Sequence, residues 1–297
     1  MQTFALDPGD VRYPALLAAI PAPPALWVRG TLVAEDALAI AIVGTRRASA
    51  YGLAVAERLA FDLAARGVTI VSGLARGIDT AAHRGALAAR GRTLAVLGSG
   101  IDLVYPPESR ALAEEIAVHG ALVSQFAPGT APLAWHFPAR NRTLAGLALG
   151  VVVVEAPERS GALITASQGG ELGREVFAVP GQITSPASQG ANALIQDGAK
   201  LIRSWQDVVQ ELPDEWRRAV RAPSPGAEAD LPAVDSDEAR VLALLSTDEP
   251  QHIEVLITRT GCGPGRVAAA LIALELNGRV RQLDGQRWVT IPCGGRA

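Results

Sequence analysis

The chain has 297 residues, 49% of them apolar and 19% charged, with a formal net charge of −3. That length holds one large domain or two ordinary ones, and the composition excludes a wholly disordered protein. Of the 27 basic residues all but Lys200 are arginine, and no global basic field marks a nucleic-acid partner.

A lone lysine outside any Gly-x-x-x-x-Gly-Lys-[Ser/Thr] string excludes the P-loop nucleotide hydrolases. Two cysteines, Cys262 and Cys293, make neither a disulfide framework nor a four-cysteine zinc site. His83, His119, His136 and His252 are scattered. The N-terminus carries no basic-then-apolar leader, and apolar runs such as residues 37–43 fall far short of a membrane span. The expectation is a soluble cytoplasmic protein without metal, cofactor or membrane partner.

Residues 1–38 read as an irregular lead-in, because Pro8, Pro14, Pro21, Pro23 and Pro24 leave room only for a short helix over residues 13–20. Trp27 and Val28 are placed to dock this segment onto the adjoining domain. Residues 39–212 alternate short apolar runs with glycine-rich turns and helical periodicity. Strands are expected at 39–43, 68–71, 93–97, 121–124, 150–155 and 176–179. Helices are expected at 53–65, 79–89, 109–118, 141–149 and 165–173. Continuous apolar strands separated by helices predict a doubly wound, mostly parallel α/β sheet covered on both faces. Residues 213–234, rich in proline and charge, read as a linker whose start extends the preceding helix. Residues 235–292 give helices at 236–245 (Ser236 as N-cap), 253–259 and 265–277, then a hairpin turning at Asp284-Gly285 through a two-residue turn. Three helices and a hairpin in that order predict a winged helix.

In an open α/β sheet, ligands sit where the strands end. The strand-end loops here are Gly44-Thr45-Arg46-Arg47, Ser72-Gly73-Leu74-Ala75-Arg76-Gly77, Gly98-Ser99-Gly100, Glu158-Arg159-Ser160-Gly161 and Pro180-Gly181-Gln182, with Arg140-Asn141-Arg142 opening a helix. Glycine admits a ligand to the backbone, helix N-termini offer free N–H groups, and arginine adds bidentate donors for phosphate. That capacity exceeds what one pyrophosphate needs and suits a run of phosphates. No Gly-x-Gly-x-x-Gly is present, and Val71-Ser72-Gly73 stands where a dinucleotide fold needs an acidic residue. Asp79 and His83, four apart on a helix, fit a capping or packing pair better than acid–base work. Glu155 at a strand end is placed either for catalysis or for holding an arginine or a backbone N–H. Trp135 and Phe137 flank His136 just before the arginines, as core residues or as a stacking surface for bases.

Seven strings in order resemble the DNA-processing protein A (DprA/Smf) family: Val43-Gly44-Thr45-Arg46, the run from Ser72 to Asp79, Phe137-Pro138-Ala139-Arg140-Asn141-Arg142, Glu155-Ala156, the run from Ser160 to Ala166, the run from Phe177 to Gly181, and Gly190-Ala191-Asn192 with Gly198-Ala199. The likeness runs from about residue 13 to 212, and the winged unit resembles the small domain many members carry. The resemblance implies an extended Rossmann domain that binds single-stranded DNA and forms homodimers. It implies a role in natural transformation and recombination, protecting incoming strands and loading the RecA recombinase, with no enzymatic activity. It carries strand binding to Arg46, Phe137, Arg140 and Arg142, and to Lys200 near the Gly-Ala string. With the loop reading, the expected contact set is Gly44, Thr45, Arg46, Ser72, Gly73, Arg76, Phe137, Arg140, Asn141, Arg142, Ser160, Gly161 and Lys200. Departures are Gln125 where a Glu often follows the serine, an uncharged Ala139, and a short lead-in where many members carry a helical domain.

The competing reading is a nucleotide or nucleoside-phosphate hydrolase on a related Rossmann-like fold. Such enzymes carry a Pro-Gly-Gly-x-Gly-Thr string that Pro180-Gly181-Gln182 does not supply. The winged unit bears only Arg266 and Glu275 on its third helix. That leaves it duplex binding, protein docking or a vestigial role.

Overall fold

The computed structural model describes residues 3–222, 237–246, 249–276 and 279–290. Contacts divide the chain into two units, Met1–Pro223 and Ser224–Ala297.

The first unit opens with strand β1 (Thr3–Leu6), a single helical turn α1 (Ala15–Ala18) and strand β2 (Leu26–Gly30). There follow β3 (Ala39–Val43), α2 (Ala50–Ala64), β4 (Thr69–Ser72), α3 (Ile78–Ala88), β5 (Thr93–Leu97), α4 (Arg110–His119) and β6 (Ala121–Ser124). Then come α5 (His136–Gly146), β7 (Gly150–Val153), α6 (Gly161–Glu171), β8 (Glu175–Ala178), α7 (Gln189–Gln196), β9 (Lys200–Leu201), α8 (Trp205–Gln210) and α9 (Asp214–Ala219). One sheet holds all nine strands in the order β1-β2-β6-β5-β4-β3-β7-β8-β9. The seven from β6 to β9 are parallel, and β2 and β1 continue the β6 edge antiparallel.

The parallel strands are continuous apolar runs because both faces are covered. Ala39, Ala41 and Val43 turn to one face, where Leu17, Leu144, Ala145, Ala162 and Ala166 of α1, α5 and α6 close the core. On the other face α4 buries Ala113, Ile116 and Ala117 against Ala95, Leu97 and Leu122, while α2 and α3 pack on each other and on β4.

The lead-in departs from the expectation of irregular chain. Its prolines fall in the connection between β1 and β2, so they do not interrupt either strand. Leu6, Leu26 and Val28 bury fully and hold the pair on β6, with Trp27 opposite Ser124 and Gly30 opposite Ala121. The Tyr13 hydroxyl donates to the Pro24 carbonyl at 2.6 Å, closing the connection. At the other end, β9 adds to β8, and Pro213 starts α9 as a separate helix instead of extending α8.

The second unit contains α10 (Asp237–Leu242), β10 (Gln251–His252), α11 (Ile253–Thr260), α12 (Pro264–Leu276), β11 (Val280–Leu283) and β12 (Arg287–Thr290). Val241, Leu256, Val267, Leu271, Leu274, Val280 and Trp288 form its core. This is a winged helix, with a short β10 completing the sheet β10-β12-β11. The hairpin turn has three residues, not two: Leu283 pairs with Arg287, and Gly285 and Gln286 both take positive φ. The Ser236 cap and Asn277 lie outside the described residues, as does the linker from residue 223 onward.

Candidate nucleic-acid interface

Strand order reverses between β3 and β7, so the connections leaving those strands diverge and open a crevice at their carboxyl ends. A cleft of about 330 Å³ lies there, lined by Thr45, Arg46, Arg47, Phe137, Arg140 and Arg159 among others. The loop after β3, the start of α5 and the start of α6 meet in it.

Each wall has a local cause. The Thr45 N–H donates to the Glu155 carbonyl at 2.7 Å, tying the loop after β3 to the end of β7. The buried Glu155 carboxylate accepts from the Ser49 N–H at 2.9 Å and from its hydroxyl, while Ser49 caps α2 through the Gly52 N–H. Of the two roles expected for Glu155, the structure shows the one that holds backbone in place. Ser160 caps α6 by accepting from the Ala162 N–H at 3.2 Å, so the N-terminus of this 11-residue helix faces the cleft beside Arg159. The Asn141 amide donates to the Gly161 carbonyl and the Gln168 amide to the Pro138 carbonyl, binding α5 to α6.

Phe137 is the centre of the arrangement. The guanidinium of Arg46 lies 5.3 Å from its ring centroid and that of Arg140 5.7 Å away. Such contacts hold planar cations against the ring. Tyr105, 6.2 Å from Phe137 between centroids, extends the aromatic surface. Arg46 is exposed, whereas Arg140 is only 5% exposed. No described residue accepts from the Arg140 Nε. Fully buried Asp79 faces Arg140 and accepts from the Gly73 and Ala75 N–H groups at 3.2 and 3.3 Å. Burial raises the Asp79 pKa against the pull of Arg140, and burial lowers that of Arg140. The cleft thus presents guanidinium and amide donors with one enclosed carboxylate behind them, which suits an anion with an attached ring.

Gly44, Thr45, Arg46, Phe137, Arg140, Asn141, Ser160 and Gly161 of the expected set meet in this cleft. The others stand elsewhere. Ser72 is wholly buried and donates its hydroxyl to the Ile42 carbonyl at 2.7 Å, because it ends a central strand. Gly73 lies beneath the Arg140 guanidinium. Exposed Arg76 is ion-paired with Glu108, and the Arg142 guanidinium turns to the Pro21 carbonyl at 3.4 Å. Lys200 pairs with Glu211 at 2.7 Å on the edge strand β9. Tyr105 had no sequence signal beyond being an aromatic after a strand-end glycine loop. Arg47 and Arg159 were visible in their loops but not distinguished from other arginines.

A family model described as DNA recombination-mediator protein A matches residues 5–213, and one described as the DprA winged helix domain matches residues 224–286. The DNA processing protein DprA of Bacillus subtilis is 46% identical over 205 residues, covering 68% of this chain and 69% of its own length. Protein Smf of Escherichia coli is 40% identical over 290 residues, covering 94% of this chain and 76% of its own. The solved DprA of Streptococcus pneumoniae superposes with a TM-score of 0.67 at 44% identity, over 71% of this chain and 75% of that one. DNA processing protein A of Helicobacter pylori, solved to explain its single-stranded DNA binding mode, superposes at 0.63 and 28% identity over 70% and 94% of the two chains. With a family model that spans residues 5–213 and relatives 40% or more identical over most of their length, this chain belongs to the DNA recombination-mediator protein A (DprA/Smf) family.

Proposed function

We propose that this protein binds single-stranded DNA at the rim of its sheet, without enzymatic turnover. In this reading it protects strands entering the cytoplasm during natural transformation, acts as a homodimer and loads the RecA recombinase. The observation that carries strand binding is Phe137 with Arg46 and Arg140 against its ring, at the mouth of an arginine-lined cleft. A base stacks on an aromatic whatever its identity, and guanidinium groups take the flanking phosphates. A duplex has its bases already stacked and offers none to Phe137. The solved relative with a single-stranded DNA binding mode supports the same assignment.

The test is a salt titration of binding to oligothymidine beside a duplex of equal length. Affinity should fall with a log–log slope of about −0.7 per phosphate contacted. Arg46→Ala should weaken binding by roughly 1.5–3 kcal/mol, the range for a hydrogen bond to a charged group. Salt-insensitive binding, or equal affinity for duplex, rejects the proposal. Recombinase loading is tested separately, by RecA filament growth on strands precoated with a single-strand-binding protein.

A further inference from the structure

Trp135 is 69% exposed, although an indole is among the side chains that gain most from burial. It stands outside the cleft, two residues before Phe137, at the position that caps the N-terminus of α5. Its backbone is pinned on both sides. The His136 N–H donates to the Leu133 carbonyl at 2.9 Å, and the His136 Nδ1 lies 3.1 Å from the Ala131 carbonyl. The His136 ring stacks on Phe126 with centroids 4.2 Å apart, and Trp135 meets that ring edge-on at 6.0 Å. The preceding loop is itself anchored, with the Gly129 N–H on the Asp102 carboxylate at 2.8 Å and the Gly100 N–H on the Thr130 carbonyl at 2.8 Å.

We infer that Trp135 is a second base-stacking platform, which receives a nucleotide farther along the strand than those that fill the cleft at Phe137. The inference rests on the single-strand reading of the cleft. A large aromatic kept in water by a fixed turn has already lost its backbone freedom, so stacking a base on it costs little further ordering. Its continuity with Phe137 through α5 makes the occupant a base of the same strand. A second copy of the chain or a partner protein, each of which would also cover an exposed indole, is an outcome the test separates.

The test compares the full chain with Trp135→Ala and Trp135→Phe on two oligothymidines, one of about three nucleotides and one of about twelve, within and beyond a single stacking site. Trp135→Ala should lose about five- to a hundred-fold in affinity for the longer strand and little for the shorter, the range for one stacked base. Trp135→Phe should keep most of it. Iodide quenching in the wild type minus that in Trp135→Phe isolates this indole, and the longer oligonucleotide should shield it. Wild-type affinity of Trp135→Ala for both lengths overturns the inference and leaves the cleft reading standing. Equal loss on both lengths overturns it too, since Trp135 then only supports α5. Loss of self-association with strand binding unchanged assigns the indole to a contact between copies and overturns it. If the wild type binds neither strand, both readings fall together.

Discussion

His83 carries no charge in the folded protein. The Thr93 hydroxyl donates to the Ile70 carbonyl at 2.8 Å, so its oxygen accepts from the His83 Nδ1 at 2.7 Å. The Nε2 is then the unprotonated nitrogen, buried and without a partner among the described residues. Protonation there would bury an N–H with no acceptor, and burial depresses the pKa to about 3. The unfolded chain takes up that proton near pH 6.5, so the stabilisation from neutral His83 is complete above that pH and is lost as pH falls toward 3. Asp79 works in the opposite sense: its raised folded pKa means that acidification relieves a buried charge. Comparison with His83→Gln separates the two, because Asp79 is common to both proteins. Urea unfolding of the wild type should show stability falling by up to about 1.4 kcal/mol per pH unit below 6.5 relative to the variant. Parallel pH profiles would remove His83 from the account. The sequence spacing of Asp79 and His83 suggested a packing pair, and both are indeed buried. It did not show that they serve different partners, because those partners, the loop after β4 and strand β5, come from outside the helix.

At the scale of elements, the contact that shapes the cleft is the loop after β4 against α5. A Cβ added at Gly73 would stand 1.3 Å from an Arg140 Nη atom, so only glycine lets the guanidinium approach that loop so closely. Gly77 turns the chain into α3 with φ of 76°, where a side chain would also strike the Thr45 carbonyl. Gly73→Ala should therefore expel Arg140 from its place, lowering stability by roughly 1–3 kcal/mol as overpacking does. It should weaken strand binding about as much as Arg140→Ala. A variant that binds normally would mean that Arg140 reaches the strand from another position. Both glycines stood out in the sequence as turn residues, but the reason for Gly73, an arginine from a distant helix, was not legible. The start of α5 was also misplaced by the sequence reading. The helix was expected from Asn141, whereas α5 begins at His136 and places Pro138 in its first turn, where no backbone N–H is needed. That shift places Phe137 and Arg140 on one helix, and so brings the ring and the guanidinium together.

For the whole molecule, local pattern was a good guide where burial was two-sided. The central strands appear within a residue or two of their expected bounds, because a parallel strand with helices on both faces must be apolar throughout. The antiparallel edge of β1 and β2 was missed because its strands are short, half-exposed and separated by prolines, so nothing local distinguishes them from loop. The winged unit was legible from its helical periodicity and its Asp284-Gly285 turn, and its surface bears on its role. On α12 the Arg266 guanidinium is committed to Asp237 at 2.6 and 2.7 Å, and Ile272 is 56% exposed. A helix that reads a duplex groove needs free basic and amide side chains, and this one turns outward an engaged arginine and an aliphatic. A chain ending after residue 222 keeps every residue of the cleft and the complete nine-stranded sheet. It should fold and bind a short oligothymidine with an affinity within a few-fold of the full chain. If the winged unit adds contacts on the same DNA, the loss on truncation should appear only with long strands, where a tethered second module acts at an effective concentration in the millimolar range. Titrating both chains with a short and a long oligonucleotide at one salt concentration measures this directly. Loss of short-strand binding in a truncated chain that retains its circular dichroism would move the principal site into the winged unit. Equal affinity of the two chains for the long strand would leave that unit free for a protein partner, for which the exposed face of α12 is the better suited surface.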